Sequence, residues 1–137
     1  MKFLLRIVLA TALVSVAPAV AQAPKKMVAS PALQKEFDDF IAKFRAALSA
    51  NDSAAVAGMT RLPFMNDKAI RDAAQFRAKT YATSFTAKNR ACIQRAKAVY
   101  DRDDEKNDYY SVVCGDEYFV FTRTPAGFLF TDIGAND

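Results

Sequence analysis

Tyr109-Tyr-Ser-Val-Val-Cys114, Gly115-Asp116, Glu117-Tyr-Phe-Val-Phe-Thr-Arg-Thr124, Pro125-Ala-Gly127, Phe128-Leu-Phe-Thr-Asp-Ile133 is the stretch that decides the fold. β-branched and aromatic residues fill its three runs, and two Gly-containing turns separate them. That pattern predicts an antiparallel meander. Gly115-Asp116 suits a two-residue hairpin turn, which sets Val112 opposite Phe119 and Tyr110 opposite Phe121. Side chains alternate along a strand, so Tyr110, Val112, Cys114, Phe119 and Phe121 share one face. Val113, Tyr118 and Val120 share the other. Phe128 and Phe130 join the first face, or Leu129 does, depending on how the Pro125–Gly127 turn closes. Leu129 or Ile133 would extend the second.

Upstream, Lys97 to Arg102 reads as a first strand with Ala98 and Tyr100 on one face. Asp103 to Asp108 is its charged loop. Before that the pattern is helical. Ser30 is placed to cap a helix whose first residue is Pro31, a position that needs no backbone donor. Leu33, Phe37, Phe40, Ile41, Phe44, Ala47 and Leu48 then recur at three- and four-residue spacing. Asn51-Asp52 stops this helix and caps a short second one over Ser53–Met59. Pro63 makes Arg61 to Phe64 an extended link across the core. Asn66-Asp67 caps a third helical turn over Lys68–Ala73, which resumes through Phe76, Thr80, Tyr81, Ser84 and Phe85. A final short helix within Thr86–Gln94 carries Cys92 and Ile93. Helices first and a sheet last give an α+β domain: N-terminal helices packed on one face of a C-terminal antiparallel sheet of about four strands.

The N-terminus reads as a cleaved secretory signal, residues 1–21. Lys2 and Arg6 precede an apolar run over Ile7–Val16, Pro18 breaks it, and Ala19-Val20-Ala21 matches a small-x-small cleavage site. Ala21-Gln22-Ala23 is a second match, disfavoured by Pro24 just after it. The apolar run falls short of the ~20 residues that a spanning helix needs, so no membrane anchor is expected after cleavage. Residues 22–30 form a polar lead-in, and 31–134 form the single domain. Loss of Lys2 and Arg6 lowers the net charge of +4 by two. The remaining Lys and Arg are scattered, which argues against a nucleic-acid partner. A periplasmic or secreted location follows from the signal.

Cys92 and Cys114 are the only cysteines. An even pair in an exported chain predicts a disulfide. Redox pairs sit closer together, and a usual zinc site would need His, of which there is none. Tying Cys114 to the helical side turns its face of the meander inward.

Candidate chemistry is sparse, and no cofactor or metal is expected. Asp101, Asp103 and Glu105 resemble the start of a calcium loop, but Lys106 and Val112 occupy the sixth and twelfth positions, where Gly and Glu belong. Without His there is no catalytic triad. Acid–base work would fall to tyrosines and carboxylates, such as Tyr100 with Asp101, or Tyr81 and Tyr110 near Asp132.

The order of elements resembles small exported members of the nuclear transport factor 2-like, or cystatin-like, α+β superfamily. The resemblance spans roughly Leu33 to Ile133. It rests on the Phe-rich first helix, the Leu62-Pro63-Phe64 link, the helix with Phe76 and Tyr81, and the terminal Phe128-Leu129-Phe130-Thr131-Asp132-Ile133 strand. It implies a curved sheet around a helix and a cone-shaped cavity. The Asp–His pair of its enzymatic members has no counterpart here.

The expected function is therefore a non-enzymatic binding module. Phe44, Phe64, Tyr81, Tyr110, Phe119 and Phe121 would line a helix–sheet cavity for a small apolar ligand. Val113, Tyr118 and Val120 would form a surface for a protein partner or a second copy of the chain. The alternatives are a small hydrolase or isomerase using Tyr and Asp in that cavity, and an inhibitor of an exported hydrolase presenting Asp103–Asp108.

Overall fold

The computed structural model describes residues 13–19 and 26–137. The charged start of the signal, much of its apolar run and the cleavage site at Ala21 lie outside the described residues. Leu13, Val14 and Val16 are exposed.

The first helix, α1 (Pro31–Ser49), begins where its caps dictate. Ser30 Oγ accepts the Leu33 amide at 3.2 Å, and Pro31 opens the first turn. Its apolar stripe buries Phe37, Ile41, Phe44, Ala47 and Leu48. Asn51 ends it in the left-handed region (φ 50°), and Asp52 caps α2 (Ser53–Gly58) through the Ala55 amide.

The third helical turn starts later than its sequence signals indicate. Residues 64–70 close on themselves instead, with the Phe64 amide donating to Ile70 O at 2.9 Å. A 3-10 turn (Phe64–Asn66) and an Asp67 turn fill that loop. The cap is Asp72, which accepts the Gln75 amide at 2.8 Å and opens α3 (Ala73–Gln75). The chain continues into a π-helical segment (Phe76–Tyr81) and a closing turn, α4 (Ala82–Ser84). In an α-helix, residues five apart diverge by about 140°. The wider π turn, closed by Ala82 N donating to Arg77 O, brings Phe76 and Tyr81 to the same side, and both are buried. Thr86 then caps α5 (Ala87–Arg95) through the Asn89 amide.

The sheet runs β1 (Val99–Arg102), β2 (Asp108–Cys114), β3 (Glu117–Thr124) and β4 (Gly127–Ala135), antiparallel throughout and in sequence order. The β2–β3 register pairs Val112 with Phe119 and Tyr110 with Phe121, as the two-residue turn demands. β1 is two residues shorter at its start than its pattern indicates. One bulge, between Val120 and Phe121, leaves Thr131 as an extra residue on β4. Thr131 Oγ1 bonds to Thr122 Oγ1 at 2.7 Å and donates to Val120 O at 3.3 Å. Phe128 and Phe130 therefore face inward, and the parity then switches. Asp132 turns outward beside Val120, and Ile133 turns inward beside Phe119. The placement of Ile133 on the outer face is thus corrected; Leu129, opposite Thr122, does lie outside.

The inner face meets the helices in an aromatic core. Phe37 stacks on Tyr110 with ring centroids 3.7 Å apart, and Phe130 lies at its centre. The helical layer is stapled twice. Cys92 on α5 and Cys114 on β2 form a disulfide with Cα atoms 5.9 Å apart. Arg45 of α1 donates to the carbonyls of Ile93 and Ala96, each at 2.9 Å, satisfying the C-terminal end of α5. On the far edge of the sheet, the Arg61 amide donates to Phe130 O and the Phe130 amide to Met59 O, so the link covers part of β4.

Tyr110 gives this core a pH signature. Its hydroxyl donates to Gln34 Oε1 at 2.9 Å, and burial pushes its pKa up to about 12 from the usual 10.0. A phenol that ionises later in the folded chain than in the unfolded one stabilises fully below its unfolded value. That stability is lost as pH rises from about 10 through about 12. Tyr110→Phe should therefore flatten the alkaline loss of stability, read as the unfolding midpoint against pH normalised to its neutral value. An unchanged slope would show that Tyr110 does not carry it.

Candidate functional site

The residues expected to line a cavity fill a solid interior. Phe44, Phe64, Tyr81, Tyr110, Phe119 and Phe121 are all buried. Phe44 packs edge-on to Phe121 with centroids 4.9 Å apart, Tyr81 stacks on Phe85 at 5.2 Å, and Phe119 lies 5.3 Å from Phe85. Around these rings the space between helices and sheet is taken up by side chains. Phe64 lies at the edge of this core. With Met65, Ile70, Thr80 and Ile133 it borders a surface hollow of about 420 Å³ beside the 64–70 loop.

The tyrosine–carboxylate pairs expected for catalysis do not form. Tyr100 faces inward and Asp101 outward. Tyr81 and Tyr110 are inside, whereas the bulge puts Asp132 outside. Tyr81 donates to Asn51 Oδ1 at 2.7 Å. Tyr100 donates instead to Asp108, also at 2.7 Å, and Arg102 Nε donates to the same oxygen at 2.9 Å. The bond to Asp108 raises the Tyr100 pKa, which weakens this phenol as an acid at neutral pH. Burial works to raise the Asp108 carboxyl, but the bonds from Tyr100 and Arg102 outweigh it and hold the carboxyl below its usual value.

The larger concavity is on the outer sheet face, where a hollow of about 620 Å³ opens. β2 and β3 supply its floor through Tyr109, Tyr118, Val120 and Thr122, and β4 adds Thr131 and Asp132. Two of the three residues expected at a partner surface, Tyr118 and Val120, lie in it. Val113, nearly half exposed at 48%, is paired with Tyr118 on the same face. Opposite Tyr118 on β4 stands Gly134, and a Cβ there would fall inside the Tyr118 ring. The missing side chain is what lets the ring lie over the strand.

Two loops make the walls. Arg61 and Asn66 come from the link after α2, where Met65 and Asn66 take φ of 51° and 56°. Asp103, Glu105 and Asn107 come from the β1–β2 loop. That loop is held by its own bonds: Asn107 donates to Asp103 through its amide at 2.8 Å and its side chain at 2.9 Å. The side-chain bond from Asn107 lowers the Asp103 pKa. Among the described residues no group of three or more His, Cys, Asp or Glu is arranged to hold a metal ion.

Burial raises the Asp132 carboxyl, against the opposing pull of the Ile133 amide and the Arg61 charge. Burial raises Tyr109 as well, helped by the charges of Asp101 and Asp103. Tyr109 thus lies within the field of the Asp101 and Asp103 carboxylates.

Comparison with protein-family models, with curated proteins and with solved structures finds no match to this chain. The site's meaning therefore rests on its own geometry. Tyr109 was legible in the sequence, since it shares parity with Ser111 and Val113. Arg61 and Asn66 carried no such signal, because only the folded link brings them over the sheet.

Proposed function

We propose that this chain is a non-enzymatic binding module whose outer sheet face seats a protein partner. The observation that carries this is the outer hollow itself. Tyr109, Tyr118 and Val120 form an amphipathic floor with structured walls, on a face that the helices do not cover. Tyr side chains offer large contact area at low entropic cost, which suits protein recognition. Against an enzyme, the hydroxyls of Tyr81, Tyr100 and Tyr110 are each engaged with a neighbour inside the fold. An apolar ligand would have to enter beside Phe64, at the smaller hollow.

The same proposal places the module outside the cytoplasm, in a periplasm or in secretion. The Cys92–Cys114 disulfide fits an oxidising compartment, and the signal-like residues 1–21 supply a route. Among the described residues no helix is long and apolar enough to cross a membrane. The helices-then-meander order also fits the nuclear transport factor 2-like resemblance, with a filled interior in place of the cavity that the resemblance implies.

A photo-crosslinking residue at Val113, with one at exposed Lys88 on α5 as control, tests the reading in the producing cells. A discrete adduct at position 113 but not at 88 is expected. An adduct of twice the chain's mass would make the partner a second copy. No adduct at 113, or equal adducts at both, would rule out the outer face as the docking surface.

A further inference from the structure

The charges around the outer hollow are unbalanced, and this narrows what can dock there. The ion pairs of the described surface lie away from the hollow: Lys35 with Asp39, Arg102 with Asp108, and Arg123 with Glu36. Among the described residues none of Asp101, Asp103, Glu105 or Asp132 is in an ion pair. Asp103, Glu105 and Asp132 line the hollow with Arg61 as the single cation, and Asp101 stands opposite Tyr109 on the same face. This negative excess occurs in a chain that is basic overall. It surrounds two tyrosine rings, whose faces attract cations in their own right.

Resting on the docking reading above, we infer that the partner presents a basic segment, with an Arg or Lys side chain laid over Tyr109 and Tyr118 and its charge met by Asp103, Glu105 and Asp132. A planar guanidinium suits this floor best, since it stacks on an aromatic ring while its edge donates to carboxylates. An extended peptide is favoured over a small cation because the hollow is a broad depression on a sheet face. Small-molecule sites enclose most of their ligand.

The test is a titration of the full, isotope-labelled chain with a ten-residue peptide of alternating Arg and Ser, read by amide chemical shifts. The alternating Glu-Ser peptide and spermidine serve as controls. Saturable shifts centred on Tyr109, Tyr118 and Val120 are expected with the Arg peptide only, weakening as salt is raised. Asp103→Asn, Glu105→Gln and Asp132→Asn combined should weaken binding at least tenfold. Glu105→Gln alone, an exposed change that spares the fold, should weaken it two- to threefold. Equal binding of the Glu peptide, or no effect of these variants, would overturn the assignment. Spermidine binding as tightly as the peptide would overturn it too, by making the hollow a small-cation site. If the Arg peptide fails while position 113 still crosslinks a partner, the basic segment is wrong and the docking face stands.

Discussion

Phe130→Ala should cost about 4 kcal/mol of folding stability, near the middle of the range for deleting a buried aromatic ring. Phe130 is fully buried on β4, with the rings of Phe44, Phe64, Phe76, Phe85, Phe119 and Phe121 at centroid distances of 5.1 to 6.3 Å. These neighbours come from α1, the link, the π-helical segment, the turn before α5, and β3. A void there cannot collapse cheaply, because no single element can move in without leaving the others. The Phe130 backbone is also bonded to the link, through Met59 O and the Arg61 amide, so the strand itself is held. Phe130→Leu keeps most of the volume and should lose about 1 to 2 kcal/mol, chiefly ring–ring contact. Urea unfolding gives both values, provided the slope m is unchanged. A loss below about 1 kcal/mol for the alanine variant would mean that the aromatic cluster is not the close-packed centre described.

Cys92→Ser should lower stability by about 3 kcal/mol in the oxidised protein, the chain-entropy value for a closed loop of this size. The sequence separation is 22 residues. The closed loop runs from α5 through β1 and the β1–β2 loop to the end of β2, so breaking the bridge frees the whole connection between helices and sheet in the unfolded chain. Reductant should bring the unfolding midpoint of the parent protein down towards that of the variant and leave the variant unmoved. A midpoint insensitive to reductant in the parent would mean that no disulfide is present. In the folded variant, α5 keeps its bonds from Arg45 and the Asn89–Glu117 contact at 2.8 Å. Amide exchange should therefore quicken most in α5 and least in β3, where both neighbours remain paired.

Most of the fold was written locally. Ser30 and Pro31 start α1, and its three- and four-residue spacing selects the buried stripe. Gly115-Asp116 alone sets the β2–β3 register, and with it the inner position of Tyr110, Val112, Phe119 and Phe121. Where sequence signals competed, local preference was overridden. Asp67 and Asp72 are both capable caps; Asp67 is taken up by the loop that the Phe64–Ile70 bond closes, and Asp72 caps the helix. The candidate site was legible only in part. Tyr118, Val120 and Val113 followed from alternation, but nothing in the residue order places Arg61 above the sheet or the 103–107 loop at its rim.

By itself, the sequence determined the α+β order, the Cys92–Cys114 pairing and the inside and outside of the central hairpin. Each rests on periodicity, turn chemistry or an even cysteine count, which act over short range or by composition. Only the tertiary structure decided that the interior is solid, because close packing depends on how rings from five segments interlock. Only it decided, too, which way Asp132 points. One extra residue, Thr131, reverses the alternation of β4, and its place is set by bonds to Thr122 and Val120 on the neighbouring strand. The meander was readable as strands; the bulge that sends a carboxylate to its outer face is a cross-strand event.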